Sequence, residues 1–144
     1  MSATPLPAYR PSPGPLHATL LAGTVPLFLG ALLCDIAYYR SYQIQWSTFA
    51  AWLIAGALVF AGLALLCALV HLARAHDRAG QPLAYLLLLL AIWALGFLNA
   101  LEHAKDAWGV MPWGLLLSAL GAPLAIAATW VGLSPAPRYV GGER

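Results

Sequence analysis

The sequence predicts an all-α polytopic membrane protein, an up-and-down bundle of four transmembrane helices. Apolar residues make up 62% of the 144-residue chain and charged residues only 8%, whereas about a quarter of the residues in a soluble domain are charged. A hydrocarbon core about 30 Å thick needs about 20 apolar residues per helical span. Four stretches without any Asp, Glu, Lys or Arg are long enough for one span each, and they lie between residues 10 and 35, 40 and 74, 78 and 102, and 106 and 138.

The four helices are expected to form one domain over residues 16–133, between two short tails. Polar or turn-forming segments separate the spans, with the sequences SYQIQWS, HDRAGQP and GVMP. The first 15 residues contain five prolines, which oppose both helix and sheet, so an extended or disordered tail is expected there. Residues 134–144 form the second tail. The helices are predicted near residues 16–38, 49–72, 83–104 and 112–133.

Basic residues and aromatic residues predict how the bundle lies in the membrane. Basic residues concentrate on the cytoplasmic side of membrane proteins, and the end with both termini carries more of them, Arg10, Arg74, Arg78, Arg138 and Arg144 against Arg40 and Lys105. Both termini are therefore expected in the cytoplasm, in a multi-pass protein of a bacterial inner membrane. Tyrosine and tryptophan residues at the opposite end are typical of a headgroup belt.

Small residues recur on one face of the second and of the fourth predicted helix. On the fourth helix they follow helical spacings of three, four and seven, at Gly114, Ser118, Gly121, Ala125 and Gly132. The second helix has a similar stripe of alanines, at Ala50, Ala57, Ala61, Ala64 and Ala68. Such faces let neighbouring helix backbones approach closely in a membrane.

Polar residues within the spans predict a buried Asp–His pair. Tyr85, Asn99 and His103 share one face of the third helix, and Asp35 lies on the first helix at about the depth of His103. A histidine partner would reduce the cost of holding a carboxylate in the membrane. The pair either pins two helices together or accepts a proton or a metal ion. Asn99, Tyr85 and Asp106 are its expected polar support.

Two histidines at the opposite end of the bundle suggest a second site. His17 begins the first helix and His71 ends the second, so both lie at a similar depth. Two imidazoles on neighbouring helices can be the axial ligands of a b-type haem or can join a metal ion. The alternative is that both are interfacial residues exposed to lipid headgroups. No dedicated metal site is predicted.

Several segments resemble a known family, the bacterial proteins of domain-of-unknown-function family 2231, which are small predicted four-helix membrane proteins. The resemblance is strongest in FLNALEHAKDAW and extends to PLHATL, GALLCDIAYY, PWGLLLSALG and WVGL. It implies that the family's polar positions correspond to His17, Asp35, Asn99, His103 and Asp106 in this chain. The sequence departs from the family pattern at Gly14, Ala18, His71 and Tyr85.

The motifs of common enzymes and binding proteins are missing from the sequence. It contains no glycine-rich phosphate loop, CxxC, HExxH or GxSxG, so no catalytic residues, enzymatic activity or nucleotide binding are expected. Its few scattered basic residues do not indicate nucleic-acid binding.

The favoured function is a non-catalytic accessory or assembly subunit of a larger membrane complex, in contact with lipid and with a membrane-protein partner or a second copy. One alternative is a redox module that holds a b-type haem between His17 and His71. The other is a small transporter or proton-linked protein that uses Asp35 and His103.

Overall fold

The computed structural model describes residues 14–74 and 81–134 and confirms the four-helix, all-α membrane architecture. Each helix is long and apolar enough to cross a membrane. The predicted tails, apart from residues 14, 15 and 134, and the segment 75–80 lie outside the described residues. The helices are α1 (Pro15–Ser41), α2 (Ile44–Arg74), α3 (Gln81–His103) and α4 (Trp113–Leu133).

The helices agree with the predicted spans except at the connection between α1 and α2. The prediction placed a loop over SYQIQWS, but α2 already begins at Ile44 instead of near residue 49. The chain reverses at Tyr42, which adopts a left-handed conformation with φ 52° and donates its N–H to the carbonyl of Tyr38. Polar residues continue into α2 because a hydroxyl can bond within the helix, as Thr48 does to the Ile44 carbonyl at 3.2 Å.

The four helices form a square in which α1 and α3 occupy opposite corners. α1 packs against α2 and α4, and α3 packs against the same two helices. The small-residue faces lie in these contacts, because Ala57 and Ala64 of α2 and Gly121 and Ala125 of α4 are all buried. Close packing of α1 on its two neighbours therefore brings its inner face towards α3 across the diagonal.

α1 and α3 run parallel and stay in one register along the whole diagonal. His17 contacts Tyr85 and Asp35 contacts His103, and the two members of each pair are separated by 68 residues. The same register places the ring of Phe28 beside Gly96. The α1–α2 hairpin and the α3–α4 hairpin are therefore related by an approximate two-fold axis along the bundle, where equivalent residues meet.

The middle of the diagonal is apolar and closely packed. The Phe28 side chain is 1% exposed, and its ring lies against Gly96 of α3 and Gly121 of α4. A Cβ atom on Gly96 would lie 3.0 Å from the end of this ring, so glycine provides the space that the phenylalanine fills. This layer separates a polar group at each end of the bundle. We call the end with Tyr38 and His103 the aromatic end, and the opposite one the terminal end.

Candidate functional site

Four polar side chains from three helices meet at the aromatic end, and we call Asp35, Asn99, His103 and Ser118 the Asp35 cluster. His103 Nε2 lies 2.8 Å from Asp35 Oδ1. The Ser118 hydroxyl donates to Asp35 Oδ2 at 2.5 Å. The Asn99 amide in turn donates to the Ser118 oxygen at 2.8 Å. The cluster thus joins α1, α3 and α4 through one continuous set of hydrogen bonds.

The Asp35 cluster is enclosed by the bundle. Asp35 is 0% exposed, Asn99 and Ser118 are each 1% exposed, and the side chain of His103 is 1% exposed. A charged group at such a place needs a paired charge or hydrogen bonds, because transfer out of water is costly. Asp35 meets this need with two hydrogen bonds, one to His103 of α3 and one to Ser118 of α4.

The hydrogen bonds fix where most of the protons lie. His103 Nδ1 is 2.9 Å from the main-chain oxygen of Asn99, which only accepts, so Nδ1 carries a proton. One further proton lies between His103 Nε2 and Asp35 Oδ1. It gives either an imidazolium with a carboxylate or an imidazole with a carboxylic acid, and the pair is uncharged overall in both forms.

The end of α3 positions His103 for this contact. Its Nδ1 bonds to the carbonyl of Asn99, one turn earlier on the same helix. The following loop is tied to α1, since the Tyr38 hydroxyl donates to the Ala107 carbonyl at 2.5 Å. Tyr38 is 2% exposed, so this tyrosine of the expected aromatic belt lies inside the bundle.

Asp106 lies in that loop and does not join the Asp35 cluster. Its carboxylate accepts the N–H of Gly109 at 2.7 Å, which shapes the turn before α4. Nearby, Lys105 Nζ lies 2.7 Å from the Glu102 carboxylate, with the lysine side chain 54% exposed. The loop charges are thus placed around the cluster and not within it.

Sequence reasoning brought Asp35, Asn99 and His103 to one depth but missed Ser118. It placed Ser118 in the small-residue face of α4 only for its size. The available signal was that Ser118 carries a hydroxyl, whereas the other four residues predicted for that face are glycine or alanine. A hydroxyl among glycine and alanine on a buried face needs a partner, because a buried polar group is nearly always hydrogen-bonded.

A cavity of about 460 Å³ lies beside the Asp35 cluster at the aromatic end. Ser47, Thr48 and Trp52 of α2 form one wall, and Lys105 and the His103 main chain are on the other. His103 as a residue is half-buried although its side chain is 1% exposed. The ring therefore lies directly behind the main chain that borders the cavity.

The second polar group, at the terminal end, joins His17 to Tyr85 and not to His71. His17 Nε2 is 2.9 Å from the Tyr85 hydroxyl. The histidine is 7% exposed, and its Nδ1 has no hydrogen-bond partner among the described residues. Gly132 makes room for this contact, because a Cβ there would lie 2.5 Å from the Tyr85 oxygen.

His71 is exposed at the end of α2 and borders a smaller cavity of about 220 Å³ together with Pro82 and Tyr85. His17 is not among the residues that line this cavity. In the part of the chain that the structure describes, no three His, Cys, Asp or Glu side chains gather as metal ligands would. His17 and His71 therefore share Tyr85 as a neighbour, and His17 bonds to this tyrosine.

A family model described as "Predicted membrane protein (DUF2231)" matches residues 13–143. The chain belongs to this family. The match confirms the resemblance seen in the sequence and covers all four helices of the bundle. No curated protein and no solved structure matches the chain.

The DUF2231 positions carried over from the resemblance fall into two groups in this structure. His17, Asp35, Asn99 and His103 are inside the bundle, in the two polar groups on the diagonal. Asp106 instead holds the loop before α4. The family description gives a membrane protein and no reaction.

Proposed function

We propose that this DUF2231 protein is a non-catalytic membrane subunit that accompanies a larger membrane complex or helps to assemble it. The supporting observation is that the polar groups of the Asp35 cluster bond to one another. Asp35 shares a proton with His103 and accepts from Ser118, and Asn99 donates to Ser118. Such a network fixes the relative positions of three helices, as a scaffold requires.

The outer surface of the bundle supports an intramembrane role. Large apolar side chains point away from the core on every helix, among them Leu33 (65% exposed), Trp52 (75%), Leu98 (52%) and Leu120 (60%). Lipid contacts these faces in the bilayer. A helix of a partner protein, or of a second copy, would replace lipid on one of these faces. Close packing would favour this replacement, because lipid tails are as apolar as the side chains that they contact.

An assembly role can be tested by deletion and complementation. The amounts and native sizes of membrane complexes are compared in cells with and without this chain. The proposal expects one defined complex to fall in amount on deletion and to return when the wild-type chain is supplied. If no complex changes and the chain migrates alone in mild detergent, the proposal is wrong.

A matched variant separates scaffolding from proton chemistry. The double variant Asp35→Leu with His103→Leu replaces the polar pair by two apolar side chains at the same places. A scaffold needs the helices held in their relative positions and does not need the shared proton, so this variant should restore the complex if it folds with the same helix packing. Failure of a folded double variant, in spite of normal membrane levels, would favour a role for the pair itself.

The haem alternative stays a prediction, with one contact that bears on it. His17 Nε2 is engaged by Tyr85, and this bond would have to break before that nitrogen could bind iron. The cavity at His71 is about 220 Å³, below the roughly 300–1,000 Å³ of usual ligand pockets. No contact in the described residues favours haem over the scaffold.

The proton-linked alternative has a specific observation in its favour. The Asp35–His103 pair holds one proton between two titratable groups, and His103 borders an open cavity. A role in proton binding does not conflict with a role in a complex.

A further inference from the structure

We infer that the Asp35 cluster is a proton-binding site that exchanges its proton with the aromatic end of the bundle, through the cavity beside His103. This goes beyond the proposed accessory role. The inference rests on the short contact between the two titratable groups, on the direction of the hydrogen bonds around them, and on the one-sided position of the cavity.

The contact between Asp35 and His103 needs a proton. With Nδ1 protonated toward the Asn99 carbonyl, removal of the shared proton leaves lone pairs on both Nε2 and Oδ1. Two lone pairs facing each other at 2.8 Å repel. The closed diagonal is thus the proton-bound state, and loss of the proton separates the ends of α1 and α3.

The rest of the cluster is arranged to stabilise the carboxylate that remains. Ser118 donates to Asp35 Oδ2 and is itself polarised by the Asn99 amide, which strengthens its hydrogen bond. The oxygen of that amide group, Asn99 Oδ1, is buried with no partner in the described part of the chain. This free acceptor is the place where a water molecule would bond when the pair opens.

The ionisable neighbours of the pair are few and mostly engaged. On α1, Cys34 precedes Asp35. On α3, Glu102 precedes His103 and binds Lys105. The sequences of α2 and α4 carry no Asp, Glu, Lys, Arg or His in their halves at the aromatic end. Two more ionisable side chains lie near the Asp35–His103 pair and bond to other groups. Tyr38 bonds to the Ala107 carbonyl, and Asp106 bonds to the Gly109 N–H.

Only the aromatic end offers the proton a path among the described residues. The cavity reaches the main chain of His103, and its lining includes two residues with hydroxyl side chains, Ser47 and Thr48. Toward the terminal end, Phe28 and the apolar layer around Gly96 close the diagonal. The next buried hydroxyl on α1, Thr24, bonds to the Leu20 carbonyl of its own helix. Proton exchange is therefore one-sided.

The first test measures which protons the site carries. Nitrogen-15 NMR of the full chain, labelled at histidine and held in detergent micelles, follows the His103 ring over a pH series, with the signal assigned by its loss in His103→Gln. The expected result is that Nδ1 stays protonated throughout while the Nε2 proton is lost at high pH. It should be lost in a different pH range in Asp35→Asn. An unprotonated Nδ1, or a titration that Asp35→Asn leaves unchanged, would overturn the site.

The second test concerns the route. Thr48→Phe and Ser47→Phe place an aromatic ring in the cavity, and Leu63→Phe on the lipid-facing side of α2 is the matched control. Exchange of the Nε2 proton for deuterium depends on local opening, so filling the cavity should slow it by about tenfold. The control should exchange like the wild type. Equal rates in all folded variants would overturn the route, and Thr48 is exposed, so its variant is expected to fold.

Discussion

Removing the carboxyl group of Asp35 should destabilise the bundle because it leaves two buried polar atoms without a partner. In Asp35→Leu, the Ser118 hydroxyl and His103 Nε2 both lose the Asp35 oxygens, which lie 2.5 and 2.8 Å from them. Each orphaned buried polar group costs about 1–3 kcal/mol. We therefore expect the free energy of unfolding to fall by about 2–6 kcal/mol, which includes the range for a broken buried ion pair. Asp35→Asn should cost less, since its amide oxygen still accepts one bond.

The double variant Asp35→Leu with His103→Leu decides whether the two side chains act on each other. His103→Leu alone leaves the carboxylate with Ser118 as its single donor, which we expect to cost about 3–5 kcal/mol. Together the two changes remove both partners, so their combined cost should be smaller than the sum by about 1–3 kcal/mol. Unfolding is measured in detergent micelles by circular dichroism against added denaturing detergent.

A surface ion pair in the same helix end serves as the control. Glu102 and Lys105 lie as close as Asp35 and His103, at 2.7 Å, but the lysine side chain is 54% exposed. Exposed pairs contribute about 0–1 kcal/mol, so the cycle of Glu102→Gln and Lys105→Gln should show little coupling. Strictly additive losses for Asp35 and His103, equal to those of this control, would refute the reasoning.

Three further predictions follow from the packing and the sequence. Gly96→Ala should lower the free energy of unfolding by about 1–3 kcal/mol, since its Cβ would press on the Phe28 ring at 3.0 Å. Gly56→Ala is the control and should not lower it, because its Cβ would make only ordinary contacts at 3.6 Å. A periplasmic reporter fused within residues 104–112 should be active and one at the C-terminus inactive, and the reverse would contradict the predicted orientation. If haem binds, the purified protein shows a Soret band that His17→Ala removes, and a colourless protein from haem-sufficient cells contradicts the haem alternative.

The sequence predicted the spans well because membrane insertion is governed by long charge-free stretches. It also predicted the depth of Asp35 and His103, since depth follows from position along a helix. It could not predict which helices lie side by side. His17 and His71 were matched by depth and lie on helices that do pack together, but the structure joins His17 to Tyr85 across the diagonal. The periodicity of one helix does not show which neighbouring helix each of its side chains meets.

The parallel register of α1 and α3 explains why polar residues come in pairs on this diagonal. Equivalent positions of the two hairpins meet at the approximate two-fold axis, with a separation of 68 residues in both hydrogen-bonded pairs. An acid at one position would face an acid at the other if the hairpins were identical. A base opposite Asp35 removes that repulsion, and His103 is this base.

The same register predicts that the pair can be exchanged between the hairpins. The double change Asp35→His with His103→Asp keeps one acid and one base on the axis. It should therefore be more stable than either single variant, because Asp35→His places two histidines face to face and His103→Asp places two carboxyl groups face to face. The new carboxylate would lack the hydroxyl of Ser118, a loss of about 1.5–3 kcal/mol for a hydrogen bond to a charged group. Ala50, which is 0% exposed, occupies the equivalent place on α2, so adding Ala50→Ser should recover part of that loss. If Ala50→Ser lowers the stability of the exchanged protein as much as it lowers that of the wild type, the hairpins are not equivalent at this level of the bundle.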